Sequence, residues 1–138
     1  MKTYTKKELA EVLRLHKLWL EDNPKGIRAN LRSADLSSAY LSSADLSSAD
    51  LSSADLSSAD LSSADLRLAK TDKRYIQIAC IGSRKDMTTY CFEDDKIWCG
   101  YFSGTLEEFK ARVKETHEGN KRYLAEYMGF IEYLKSLR

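Results

Sequence analysis

From Ala29 to Leu68 the apolar positions recur every five residues, as eight consecutive Ala-x-Leu-x-x units, and from Ala44 to Leu66 each unit reads Ala-Asp-Leu-Ser-Ser until the next leucine. On an α-helix five residues advance about 500°, so successive leucines would drift around the cylinder by roughly 140° and make no apolar stripe. On a flat strand the side-chain period is two, so an odd repeat would send Leu46 to one face and Leu51 to the other. The pattern that satisfies a period of five is a backbone that turns once per repeat, with each Leu on a common axis and the polar residues outside. Alanine two residues before each leucine is small enough to fit where the wall bends inward. Asp and Ser satisfy turn backbone with their own side chains, which suits the outer positions.

Ahead of the array the pattern changes to three-four spacing. Leu9, Val12, Leu13, His16, Trp19 and Leu20 follow the capping-box pair Thr5 and Glu8, predicting an amphipathic helix over residues 5–21. Asn23-Pro24-Lys25-Gly26 breaks it. Behind the array, residues 75–81, 87–92 and 96–102 are short runs rich in β-branched and aromatic side chains, separated by turn-forming residues, and predict a three-stranded meander. Thr105 and Glu108 repeat the capping-box pattern for a helix to about His117, and Gly119-Asn120 separates it from a second helix over 121–137 carrying Leu124, Tyr127, Met128, Ile131 and Leu134 on one face. The predicted organisation is an N-terminal capping helix and linker (1–28), a repeat solenoid (29–73) and a small α+β capping unit (74–138), in a mainly β chain. A solenoid that is not closed on itself leaves two open ends, so the flanks are expected to act as lids.

Composition adjusts this picture in three places. No apolar run of the 138 residues approaches the eighteen or so needed to cross a bilayer, and Met1 leads into a charged segment without the features of a signal peptide, which points to a cytoplasmic protein with no membrane partner. The net charge of +1 is unevenly spread: residues 1–28 hold seven basic and four acidic groups, 29–68 two and six, 69–138 thirteen and eleven. The array is thus the acidic segment, and its aspartates read as a solvated surface. Cys80, Cys91 and Cys99 all fall in predicted strands and read as buried free thiols; a zinc set of Cys99, His117 and another cysteine matches no known ligand spacing.

The units Ala29-Asn30-Leu31, Ala34-Asp35-Leu36 and their successors resemble the A(D/N)LXX signature of the pentapeptide-repeat family. That resemblance implies a right-handed, four-sided β-helix with about twenty residues per coil, so that Leu31 would stack on Leu51, Asp35 on Asp55, Tyr40 on Asp60 and Asp45 on Asp65. The structural core it implies comprises Leu31, Leu36, Leu41, Leu46, Leu51, Leu56, Leu61 and Leu66 with Ala34, Ala39, Ala44, Ala49, Ala54, Ala59 and Ala64. The leader around Leu15-His16-Lys17-Leu18-Trp19-Leu20 is similar to those of phage and prophage pentapeptide-repeat proteins. The tail, from Ile81-Gly82-Ser83-Arg84 through Cys99-Gly100 to Thr116-His117, carries the same likeness. Copies this uniform suggest a synthetic consensus sequence set between natural flanks.

Catalysis has little support: there is no Gly-rich phosphate loop, no His-Glu-x-x-His and no nucleophile elbow, and both His16 and His117 read as structural. No catalytic residue, cofactor or metal is expected. Some members of the resembled family act as DNA mimics on type II topoisomerases. Six Asp along about 10 Å of axis approach the duplex's one charge per roughly 1.7 Å, but that length spans only about three base-pair steps, so a nucleic-acid-like role is disfavoured. An ice-binding face is disfavoured too, because the Ser pairs lack the methyl groups of threonine. The expected function is a structural, non-enzymatic scaffold; the alternative is a phage-type binding module with a protein partner, or one that self-associates through its caps. Tyr40 is the oddity of the array, a neutral guest where the five following units have Asp.

Overall fold

Every Leu-x-x-Ala step of the repeat closes a β-turn in the computed structural model, which describes residues 1–138 in two units, Met1–Arg74 and Tyr75–Arg138. The amides of Ala34, Ala39, Ala44, Ala49, Ala54, Ala59, Ala64 and Ala69 each donate to the carbonyl three residues earlier, at 3.0–3.2 Å. Between turns the chain pairs with itself in parallel at a spacing of twenty: Asn30 with Asp50, Asp35 with Asp55, Tyr40 with Asp60, Asp45 with Asp65 and Asp50 with Lys70. Each such rung has two bonds. The amide of Leu31 donates to the Asp50 carbonyl at 2.8 Å, and the Asp50 amide donates to the Ala29 carbonyl at 3.1 Å; the other four rungs repeat this.

The eight leucines from Leu31 to Leu66 are buried, as are Ala29, Ala34, Ala49, Ala59 and Ala64, while Ala39, Ala44 and Ala54 are half-buried and Leu68 is exposed. The turns are of two kinds. Ser33, Ser43, Ser48, Ser53, Ser63 and Leu68 sit at positive φ between 56° and 62°, as a type II turn requires of its third residue. Ser38 and Ser58, twenty apart, do not. At four of these positions the rotated amide reaches a further acceptor: Ser33 donates to Ser52, Ser43 to Ser62 and Ser48 to Arg67, and Ser53 donates to the Asp72 carboxylate. The side with Ser38 lacks that bond.

The same unit holds a two-residue strand β1 (Lys2–Thr3), helix α1 (Lys6–Leu20) and strand β2 (Ala34–Asp35). Thr5 caps α1 in a reciprocal capping box, its hydroxyl accepting from the Glu8 amide at 3.1 Å and its amide donating to the Glu8 carboxylate at 2.8 Å. The helix ends at Glu21, Asp22 turns at φ 58°, and the chain doubles back so tightly that a Cβ on Gly26 would meet the backbone of Trp19. β1 pairs in parallel with β2, a pairing that the polar residues Lys2 and Thr3 gave no reason to expect.

In the second unit the predicted three-stranded meander has four strands: β3 (Tyr75–Ile78), β4 (Thr88–Cys91), β5 (Lys96–Cys99) and β6 (Phe102–Gly104), in that order and all antiparallel. The run over 96–102 divides because Gly100, at φ 58°, and Tyr101 form a two-residue hairpin turn that pairs Cys99 with Phe102. Helices α2 (Leu106–Thr116) and α3 (Lys121–Ser136) follow, capped by Thr105 and Asn120. Their apolar faces bury Leu106, Phe109, Val113, Tyr127, Phe130, Ile131 and Leu134 together with Tyr90, Ile97 and Cys99 of the sheet. Lys135 of α3 reaches Glu107 of α2 at 3.1 Å. No helix of the chain is long and apolar enough to cross a membrane.

Candidate functional site

The chemistry-bearing groups of the array are its aspartates, and each is engaged in its own turn. The Oδ1 atoms of Asp35, Asp45, Asp50, Asp55, Asp60 and Asp65 accept the amide two residues on, at 2.9–3.1 Å. Ser37, Ser47 and Ser52 add their hydroxyls to the same oxygen at 2.6 Å. These are Asx turns, and they explain why the position tolerates Asn30, which accepts from the Arg32 amide in the same way. Tyr40 has no such acceptor to offer.

The electrostatics follow from those bonds. The carboxyls of Asp35, Asp50 and Asp55 are held below the usual range, first by the hydroxyl and then by the amide of the serine two residues on. Asp65 is lowered chiefly by the Arg67 guanidinium, 2.6 Å away. Asp55 beneath Asp35 opposes the shift, but less than the hydrogen bonds favour it. Repulsion along the stack is therefore the weaker effect. A carboxyl lowered in this way stays ionised and is a poor general acid at neutral pH.

His16, wholly buried, closes the array's first corner. Its Nδ1 accepts the Ala29 amide at 2.9 Å and its Nε2 donates to the Ser47 carbonyl at 2.8 Å, so the ring is the Nε2–H tautomer. One imidazole stands in for both a missing turn acceptor and a missing corner donor. Trp19 stacks on its other face at 5.6 Å, and Arg28 donates to the neighbouring Ser48 carbonyl at 2.6 Å. The three-four spacing put His16 on the buried face of α1; nothing in it disclosed the two backbone bonds.

In the same unit an open groove of about 550 Å³ runs between Tyr4, Lys6, Leu9 and Ala10 and the segment 35–40. Tyr40 is 72 % exposed at its edge, with the Lys6 ammonium 5.0 Å from the ring centroid.

In the second unit the sulfur and imidazole groups are dispersed. Cys91 and Cys99 are buried, but Cys80 is exposed and lies outside any strand, in a turn at φ 60°, contrary to the expectation for all three. Burial pushes the Cys91 thiol up, and Asp94 and Glu93 nearby add to the shift, so it is a weak nucleophile. His117 ends α2 and stacks on Tyr127 at 5.1 Å. No group of three or more His, Cys, Asp or Glu is arranged to hold a metal ion.

Compared with known proteins, the chain matches no curated protein and no solved structure. Its array does match a family model: residues 29–67 match that of the pentapeptide repeats, in eight copies.

Proposed function

We propose that the protein is a structural, non-enzymatic scaffold whose array is a right-handed, four-sided β-helix of consensus design, set between flanks of phage type. The observation that carries the scaffold reading is the use of the aspartates: each of the six accepts the amide of its own turn, so the most functional-looking residues of the chain serve its backbone. Four sides are supported by the spacing of twenty between bridged residues, which is four repeats of five. Consensus origin is supported by the uniformity of the copies, five of which read Ala-Asp-Leu-Ser-Ser.

Insertion mutagenesis tests the coil. Adding four Ala-Asp-Leu-Ser-Ser copies after Ser58 inserts one whole return, lengthens the axis by about 4.8 Å and should leave the chain folded with Tm unchanged or raised. Adding two copies puts the downstream chain on the opposite side and should destabilise it. Equal tolerance of both insertions would refute four sides.

A DNA-mimic role is the poorer reading on physical grounds. On a four-sided coil the carboxylates divide into Asp35 with Asp55, Asp45 with Asp65, and Asp50 and Asp60 singly, so no side presents more than two. Gyrase supercoiling should therefore proceed unaffected in the presence of the protein, and dose-dependent inhibition would restore that role.

A further inference from the structure

β1 lies on β2 in the register Lys2 on Ala34 and Thr3 on Asp35, taking the place of the strand that a preceding return of the chain would supply. Continued in that register, residues 4–8 would run along 36–40. They do not, because Thr5 begins a capping box and the chain winds up into α1. The rung at Tyr40 is left bare on this side. Its amide and carbonyl have no hydrogen-bond partner, whereas those of Asp60 below bond to the Ala39 carbonyl and the Leu41 amide. The groove described above lies over this bare rung, with Leu9 and Ala10 as its apolar wall.

The groove's own charged side chains are Lys6 and Asp35, and they differ in what they are bonded to. The nearby carboxylates are engaged, Asp35 by Ser37, Glu8 by the Thr5 amide and Glu11 by Arg14. Lys2 and Lys6 have no carboxylate partner and lie over the rings of Tyr4 and Tyr40 at 4.8 and 5.0 Å. Lys7 sits one residue further along α1, likewise without an ion pair.

We propose that this groove binds an extended acidic peptide by strand addition at Tyr40. The peptide backbone supplies the carbonyl and amide that the Tyr40 rung lacks, a carboxylate side chain meets Lys6, and the alternate side chains face Leu9 or solvent. About five residues fill the rung, roughly 16 Å of strand. Binding here uses only the rim, and holds whether or not the array is four-sided or of consensus origin.

The test titrates the nitrogen-15-labelled full chain with an eight-residue peptide of alternating glutamate and valine. Saturable shifts centred on the Tyr40 and Leu41 amides, with slowed hydrogen exchange at Tyr40, are expected. Tyr40→Asp restores the side chain of the neighbouring copies and Lys6→Glu places an acid in the first helical turn, so both variants should fold; each should weaken binding at least tenfold. The same peptide N-methylated at alternate amides should not bind. The proposal is overturned if the Tyr40 amide does not respond or if both variants bind undiminished. It is equally overturned if a lysine-valine peptide or an eight-nucleotide thymidine strand binds there as tightly.

Discussion

In the array a leucine in every five residues is buried, with the alanine two residues before it buried or half-buried, and the rungs between them are backbone bonds of nearly constant length. In residues 75–138 the core is Tyr90, Ile97, Phe109, Tyr127, Phe130, Ile131 and others, with no two in equivalent places and several in edge-on aromatic contact, such as Phe109 with Tyr127 at 5.8 Å. One region is held by a small set of interactions repeated, the other by shape matching among large side chains. A fault in the first recurs at a definable depth of the stack; a fault in the second depends on its particular neighbours.

The strongest way to break the contrast is a charge on the array's axis. Leu51→Lys should cost about 3–5 kcal/mol or more, since nothing there pairs an ammonium, and thermal unfolding followed by circular dichroism should show the array lost. A folded variant of unchanged Tm would place Leu51 outside. For comparison, Leu134→Ala in the second unit should cost about 2–5 kcal/mol through the cavity left among aromatic rings.

Next in size is the first corner. His16→Phe keeps a ring for Trp19 but strands the Ala29 amide and the Ser47 carbonyl, at roughly 1–3 kcal/mol each. His16→Gln, which retains a donor and an acceptor, should recover part of that loss in urea titrations. Identical midpoints for the two variants would mean the bonds contribute nothing.

Acid should act on the array through its turns. Asp35, Asp50 and Asp55 are lowered in the folded chain, so their contribution is fully present above the unfolded value of about 3.9 and is lost as pH falls through the lowered folded values. Tm measured from pH 6 to pH 2 should therefore decline below about pH 4. Asp→Asn at these three positions should flatten the decline, because Asn keeps the turn acceptor, as Asn30 does.

The smallest effect separates the two kinds of turn. Ser53 is at φ 60° and Ser58 is not at positive φ, so Ser53→Gly relieves a left-handed serine while Ser58→Gly only adds flexibility to the unfolded chain. The two should differ by about 1 kcal/mol, with Ser53→Gly the more stable. Equal Tm values would show that the corners are energetically alike.

Much of this was legible along the chain. The period of five excluded helix and flat strand and put each repeat leucine inside, and two Thr-x-x-Glu pairs marked the capping boxes that open α1 and α2. Other features left no such mark. Lys2 and Thr3 become a strand only because the rim offers an unpaired partner, and no side-chain pattern announces that. Gly100 looked like one residue of a single long strand until its positive φ divided β5 from β6. Ser38 and Ser43 are the same residue in the same repeat position, yet only Ser43 takes positive φ.

The sequence by itself determined what repeats: which residues face the axis, which can close a turn with their own oxygen, and where a helix can start, because these are set by side-chain volume and by hydrogen bonds spanning two or three residues. Tertiary structure alone decided what lies at the edges of the repeat. His16 replaces a missing corner, Asp72 a missing carbonyl, β1 a missing strand, and the rung at Tyr40 is left open. Those places are specified by backbone groups that only a completed stack leaves unpaired, and such groups are identical in every residue until the chain has returned on itself.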